Sequence, residues 1–263
     1  MAQPQLLHHV LDGPPGAPPL VLGPSLGTSV HVWSPQLATL TRSHRVLRWD
    51  LPGHGGSRAD LLPHDGTASV AALAAQVLRL ADTQGWESFA YAGISLGGAV
   101  GAHLAVHHPE RVAALGLVCS SARFGPPEPW QERAAHVRRE GVGPVAETSP
   151  GRWFGDAGAA ETPLGRALLR DLTDTDPVGY AACCDALAAY DLRPDLGRIS
   201  APTLVVGGSL DIATPLDHAR ELADGIPDAT LKEYAIGHLA VEQPEAVGAA
   251  LSTHLHTAKG PQY

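Results

Sequence analysis

The 263-residue chain is 44 % hydrophobic and 17 % charged, a balance that suits a globular protein with a sizeable core, in one large α/β domain or two small ones. Its formal net charge of −9, with no run of basic residues, argues against nucleic acid and anionic membrane surfaces as partners. No apolar run approaches membrane-spanning length, and the opening MAQPQLLHHV has neither the basic nor the apolar region of a secretion signal.

The first strand signal is PLVLG at 19–23, and RVLRWD at 45–50 is the second. A helical pattern follows at 67–84. Then SFAYAGI at 88–94 reads as a strand, and the small-residue stretch 97–108 as a helix. VAALGLVC at 112–119 is the fourth strand. After a long interruption come PTLVVGG at 202–208, a helix at 215–224, ATLKEYA at 229–235, and a last helix at 244–256 with Pro244 in its first turn. Strand alternating with helix predicts an α/β fold with a mostly parallel central sheet covered on both faces. The interruption, 123–195, contains no convincing strand and reads as short helices joined by Pro and Gly turns. It is expected to form a helical cap, with residues 1–122 and 196–263 as the core. Its aromatic residues, Trp130, Trp153, Phe154 and Tyr180, line a pocket or form the insert's own core; the sequence leaves both open.

The pattern G-x-S-x-G occurs twice, at Gly93–Ser95–Gly97 and at Gly23–Ser25–Gly27. In a nucleophile elbow a strand turns sharply into a helix, and flanking side chains would collide. Ser95 has that context: an apolar strand before it and a helix rich in Gly and Ala after it. Ser25 is preceded by Pro24 and followed by a loop through Ser29. Ser95 is therefore the candidate nucleophile. A serine hydroxyl needs a base, and the base an orienting carboxylate. Asp211 follows the strand 202–208 and His238 the strand 229–235, in the order Ser, acid, His. Open α/β sheets place their sites at such carboxyl ends. The alternative acid position, after 112–119, holds Cys119, Ser120 and Ser121 and no carboxylate. The oxyanion needs two backbone N–H donors, for which Leu96 and Leu26 are the candidates.

Adjacent Cys183 and Cys184, with Cys119, make a poor disulfide framework, so a reducing cytoplasm is expected. The 14 histidines are scattered, and neither C-x-x-C nor H-E-x-x-H is present, so no metal is expected. The sequence carries no signal of oligomeric state.

The stretches DLPGHGGS, GISLGG, SLDIATP and GHL resemble the α/β-hydrolase superfamily. SLGTSVHVWSPQLATLT, RVLRWDLPGHGGS, SSARFG, DPVGYAACCDALAAYDLR, APTLVVGGSLDIATP and VEQPEA narrow the resemblance to the 3-oxoadipate enol-lactonases of bacterial aromatic catabolism, from about Pro19 to Leu255. VAETSPGRWFGDAGAAETP departs most from that family, and GGSL replaces more usual polar residues before the acid. The resemblance implies hydrolysis of a five-membered enol-lactone bearing an acetate side chain, within the β-ketoadipate pathway and without metal or organic cofactor. Its substrate would be an anionic small molecule. Arg133, Arg138, Arg139 and Arg152 of the cap are offered as carboxylate partners, with Arg133 (three residues after Trp130) and Arg152 (beside Trp153) ahead of the others. An esterase or perhydrolase-like enzyme with the same triad is the runner-up, and a non-catalytic ligand receptor the reading from another class. A serine at position 95 argues against a dehalogenase, whose nucleophile there would be aspartate.

Overall fold

The computed structural model of the protein describes residues 5–256. The reading of the first ten residues as free of a secretion signal falls in part on residues 1–4, outside the described residues. In chain order the elements are β1 (His9–Asp12), β2 (Pro19–Gly23), α1 (Ser34–Leu40), β3 (Arg45–Trp49), α2 (Val70–Thr83), β4 (Phe89–Ile94), α3 (Leu96–His107) and β5 (Val112–Val118). Five helices follow: α4 (Pro127–Glu140), α5 (Gly143–Trp153), α6 (Ala157–Ala160), α7 (Pro163–Thr173) and α8 (Pro177–Ala188). The chain closes with β6 (Thr203–Gly208), α9 (Leu216–Gly225), β7 (Ala229–Tyr234) and α10 (Pro244–His256).

The strands form one seven-stranded sheet in the order β1-β3-β2-β4-β5-β6-β7. Every pairing is parallel except that of β1 with β3. β4 sits in the middle, and all six of its residues are buried. Both faces of the sheet are covered, which is why its inner strands are continuous apolar runs rather than alternating ones. Neighbouring residues of β5 show the two layers: Leu115 lies under Gly101 of α3, while Gly116 faces Leu251 of α10. At the far edge no residue of β7 is fully buried, and Thr230, Lys232 and Glu233 are exposed, as suits an edge strand with a wet face. α2 packs on α3, and α1 on α10.

The six strands expected from the sequence are present, each within a residue or two of its predicted bounds. Two elements were not anticipated. β1 is only four residues long, too short for a periodic signal, and α1 lies beyond the loop expected through Ser29, in a stretch to which no element was assigned. α1 is seven residues long with a proline in its first turn. The helical segment between β5 and β6 is anchored by α4 against α8, with α5, α6 and α7 packed among themselves. Among the described residues no helix is long and apolar enough to cross a membrane.

Candidate active site

Ser95 stands at the carboxyl end of the central strand, between Ile94 of β4 and Leu96 of α3. Its backbone has φ 55 and ψ −118, a conformation that costs a non-glycine residue about 1–3 kcal/mol. Local packing enforces it. A Cβ on Gly93 would lie 2.2 Å from the carbonyl carbon of Gly97, and one on Gly97 would lie 2.4 Å from that of Gly23. Glycine at both positions thus lets strand, helix and the loop after β2 meet at one point. Gly93→Ala is expected to strain this junction by about 1–3 kcal/mol or more and to lower Tm by about 5–10 °C in a calorimetric scan, and an unchanged Tm would show that the junction relaxes freely. Ser95 Oγ forms no hydrogen bond within the described residues, so its oxygen is free for an incoming group.

Asp211 lies just beyond β6 and His238 just beyond β7, on the same carboxyl edge of the sheet. His238 Nδ1 is 2.9 Å from Asp211 Oδ2, and both side chains are buried. A carboxylate only accepts, so Nδ1 carries the proton, and in the neutral ring Nε2 keeps a free lone pair. Asp211 also accepts the Ala213 and Thr214 N–H groups on Oδ1 and the Thr214 hydroxyl on Oδ2 at 2.6 Å. Burial opposes the Asp211 charge, but the His238 ring and the Thr214 hydrogen bonds outweigh it and hold the carboxyl below its ordinary range. Such a pair can orient an imidazole and stabilise it once it has taken a proton.

β5 ties the serine to the pair. Beyond its end, the Ser120 hydroxyl donates to the Ser95 carbonyl at 2.8 Å, and Cys119 Sγ approaches the Gly237 carbonyl at 3.6 Å. The thiol is buried and pushed above its ordinary range by desolvation and the nearby Asp211 charge, which fits packing rather than nucleophilic chemistry. Glu242 joins the insert to the histidine loop: its carboxylate accepts Gly155 N–H at 2.7 Å and Gly237 N–H at 3.2 Å.

The loop after β2 forms a turn closed by Thr28 N–H on the Ser25 carbonyl, with Gly27 at φ 84. Gly97 N–H donates to the Pro24 carbonyl and docks this turn onto the start of α3. The N–H groups of Leu26 and Leu96 make no hydrogen bond within the described residues, whereas Gly27 N–H is taken by His54. Trp153 packs over Gly27, and its carbonyl accepts Leu239 N–H, beside His238.

The four arginines of the insert separate into two kinds. Arg138 pairs with Asp185 of α8, and Arg139 lies exposed beside Glu140. Arg133 and Arg152 have no carboxylate partner within the described residues. Arg133 lies over the Trp130 ring at 4.8 Å, and the Trp130 indole donates to the Phe124 carbonyl. Burial, then the charge of Arg133, lowers Arg152, while Tyr180 and Asp211 act on it in the other direction. The two arginines therefore share one electrostatic neighbourhood with Tyr180, and Arg152 reaches that of Asp211. Thr214, Ser120, Glu242 and His54 were not picked out from the sequence. All four lie inside stretches already quoted (SLDIATP, SSARFG, VEQPEA and DLPGHGGS), but none of those stretches shows which backbone group or side chain each residue meets. Among the described residues no cluster of three or more His, Cys, Asp or Glu is arranged to hold a metal ion.

A family model described as alpha/beta hydrolase fold matches residues 18–147, and a second, described as TAP-like protein, matches 180–263. The chain is 34 % identical over 252 residues to 3-oxoadipate enol-lactonase 2 of Acinetobacter baylyi, covering 95 % of this chain and 93 % of that one. It belongs to the 3-oxoadipate enol-lactonase family of the α/β-hydrolase superfamily. A solved structure of this family, the enol-lactonase from Burkholderia xenovorans LB400, superposes with a TM-score of 0.89 at 37 % identity, covering 95 % of this chain and 96 % of that one. Beyond the enol-lactonases, RutD of Variovorax paradoxus, named for carbamate hydrolysis, is 34 % identical over 240 residues, 86 % of each chain. Hydrolase chemistry is common to these relatives, and the chain is a hydrolase.

Proposed function

We propose that the protein hydrolyses 3-oxoadipate enol-lactone through a serine acyl-enzyme, in a cytoplasmic β-ketoadipate pathway of aromatic catabolism. Ser95 Oγ attacks the ring carbonyl while His238 Nε2 takes its proton. The tetrahedral oxyanion is received by the unengaged N–H groups of Leu26 and Leu96. Its collapse breaks the ring C–O bond and expels an enolate, a better leaving group than an alkoxide, which His238 protonates. Water deprotonated by His238 then attacks the acyl carbon and releases Ser95. The enol of the open product tautomerises to the 3-oxo acid. Asp211 keeps His238 oriented throughout, and no step calls for a cofactor.

The observation that carries the substrate class is the pair of arginines that form no ion pair within the described residues, Arg133 and Arg152, which share the electrostatic surroundings of Tyr180. On a protein of net charge −9 an anionic substrate needs local attraction, and a planar guanidinium suits a carboxylate. Trp130 and Trp153 are assigned to the same subsite, the first as a platform under Arg133 and the second as a wall against the Gly27 turn. A charge-assisted hydrogen bond is worth roughly 1.5–3 kcal/mol, so Arg133→Gln and Arg152→Gln are each expected to cut kcat/KM on the lactone about 10- to 100-fold. Turnover of a neutral p-nitrophenyl ester stays near the wild-type rate. If neither change lowers kcat/KM on the lactone, or if both substrates suffer equally, the arginine subsite is wrong. A wild type that prefers neutral esters replaces the lactonase with an esterase.

A further inference from the structure

The loop DLPGHGGS, residues 50–57, contains a buried histidine that touches neither His238 nor Asp211. His54 is 1 % exposed. Its Nδ1 lies 2.9 Å from the Pro52 carbonyl, and its Nε2 lies 3.0 Å from the Gly27 nitrogen. The two partners determine its protonation. A carbonyl can only accept, so Nδ1 bears the hydrogen. A backbone N–H can only donate, so Nε2 is bare. His54 is thus a neutral Nδ1–H imidazole in this arrangement, and burial agrees, pushing it down to about 4 against the smaller opposing effects of the Pro52 carbonyl, Asp50 and Asp176.

The amide it holds lies next to the oxyanion donor. Leu26 and Gly27 are the central residues of the turn from Ser25 to Thr28, and a positive φ at Gly27 with an ordinary φ at Leu26 marks it as type II. Type II and type I turns differ by a flip of the central peptide, here Leu26–Gly27. The bond from Gly27 N–H to His54 Nε2 belongs to that peptide and selects one of the two orientations. On its other side His54 stacks on Tyr180 of α8, with ring centroids 6.0 Å apart and planes at 22°. The same loop receives the insert through its backbone. Asp176 N–H donates to the Gly53 carbonyl at 2.8 Å, and a Cβ on Gly179 would meet the Pro52 carbonyl at 2.4 Å. One short loop therefore touches the oxyanion turn, the helical insert and Tyr180.

We propose that His54 is a positioning residue: by accepting Gly27 N–H on Nε2 it fixes the Leu26–Gly27 peptide, holds in its type II form the turn on which the neighbouring Leu26 N–H is carried, and couples that turn to the seating of α8 through Tyr180. The inference rests on the assignment of Leu26 N–H as an oxyanion donor. Its effect belongs to the transition state rather than to substrate binding, because an oxyanion exists only after attack.

Two measurements test it. In uniformly ¹⁵N-labelled wild-type protein, NMR is expected to show His54 protonated at Nδ1 and bare at Nε2, with the Gly27 amide protected from solvent exchange. A protonated Nε2 or a freely exchanging Gly27 amide overturns the proposal without reference to catalysis. The second is steady-state kinetics on p-nitrophenyl acetate, which has no carboxylate for the arginines. His54→Leu removes the acceptor and is expected to lower kcat about 10- to 100-fold with KM within about threefold, while His54→Gln, whose Oε1 can accept from Gly27, recovers most of the loss. A folded His54→Leu with wild-type kcat, or a folded His54→Gln as poor as His54→Leu, overturns it. If His54→Leu does not fold, the labelled wild type and the kcat of His54→Gln decide. Ser95→Ala assayed alongside separates the two readings. A Ser95→Ala protein that still turns over removes the serine site and this inference with it, whereas an inactive Ser95→Ala beside an unimpaired His54→Leu removes the positioning role alone.

Discussion

Ser95→Ala is expected to lower kcat by about three to six orders of magnitude, and His238→Ala by a similar factor. Attack and proton removal are a single event: without Oγ there is nothing for His238 to deprotonate, and without the base the hydroxyl is a weak nucleophile. The double variant should therefore be scarcely slower than either single one. Ser95→Ala deletes a small part of the site and leaves its frame in place, since Ser95 Oγ forms no hydrogen bond within the described residues and the backbone conformation is imposed by the packing of Gly93, Gly97 and Gly23. Folding, checked by Tm, should be nearly unchanged for Ser95→Ala. Retained turnover in Ser95→Ala would return attention to Ser25, the other serine in the motif.

The second large effect is expected at Asp211. Asp211→Asn keeps the size of the side chain but can offer an N–H where the carboxylate accepted the His238 Nδ1 proton, which favours the wrong imidazole tautomer. A loss of about 10³- to 10⁴-fold in kcat is expected, with KM little changed. Stability should respond as well. The Asp211 carboxyl is held below its ordinary range in the fold, so its contribution is complete above the unfolded-chain value of about 3.9 and is lost as pH falls through the depressed folded value. Asp211→Asn should therefore flatten the acid limb of a Tm-against-pH curve, and a limb of unchanged slope would show that other carboxylates set it. Thr214, whose hydroxyl donates to the same oxygen as His238, should give a smaller loss when replaced by valine, read in the same two assays.

Legibility in the sequence followed physical range. The parallel strands and the elbow at Ser95 were readable because their signals are local: a buried run of apolar residues, or two glycines excused from steric contact. The order of Ser95, Asp211 and His238 was readable because each follows a strand. β1 was not, since four half-buried residues at an edge show no period. The partnership of Arg138 with Asp185 lies 47 residues apart in the chain and arises only when α4 packs on α8, so spacing alone could not remove Arg138 from the candidate carboxylate partners. Arg133 and Arg152 stand apart for the converse reason: among the described residues no carboxylate forms an ion pair with either. His54 was inside a recognised motif, but its partner Gly27 sits 27 residues earlier, and the motif says nothing about which amide the imidazole receives.

The anionic-lactone reading turns on one comparison above all, kcat/KM of the wild-type protein on 3-oxoadipate enol-lactone beside the same lactone with its acetate capped as the methyl ester. The reactive ring is identical in the two, and only the carboxylate offered to Arg133 and Arg152 differs. The free acid should be preferred by about 10- to 100-fold, the worth of a charge-assisted hydrogen bond. A methyl ester turned over as well as the free acid, or better, would contradict the account.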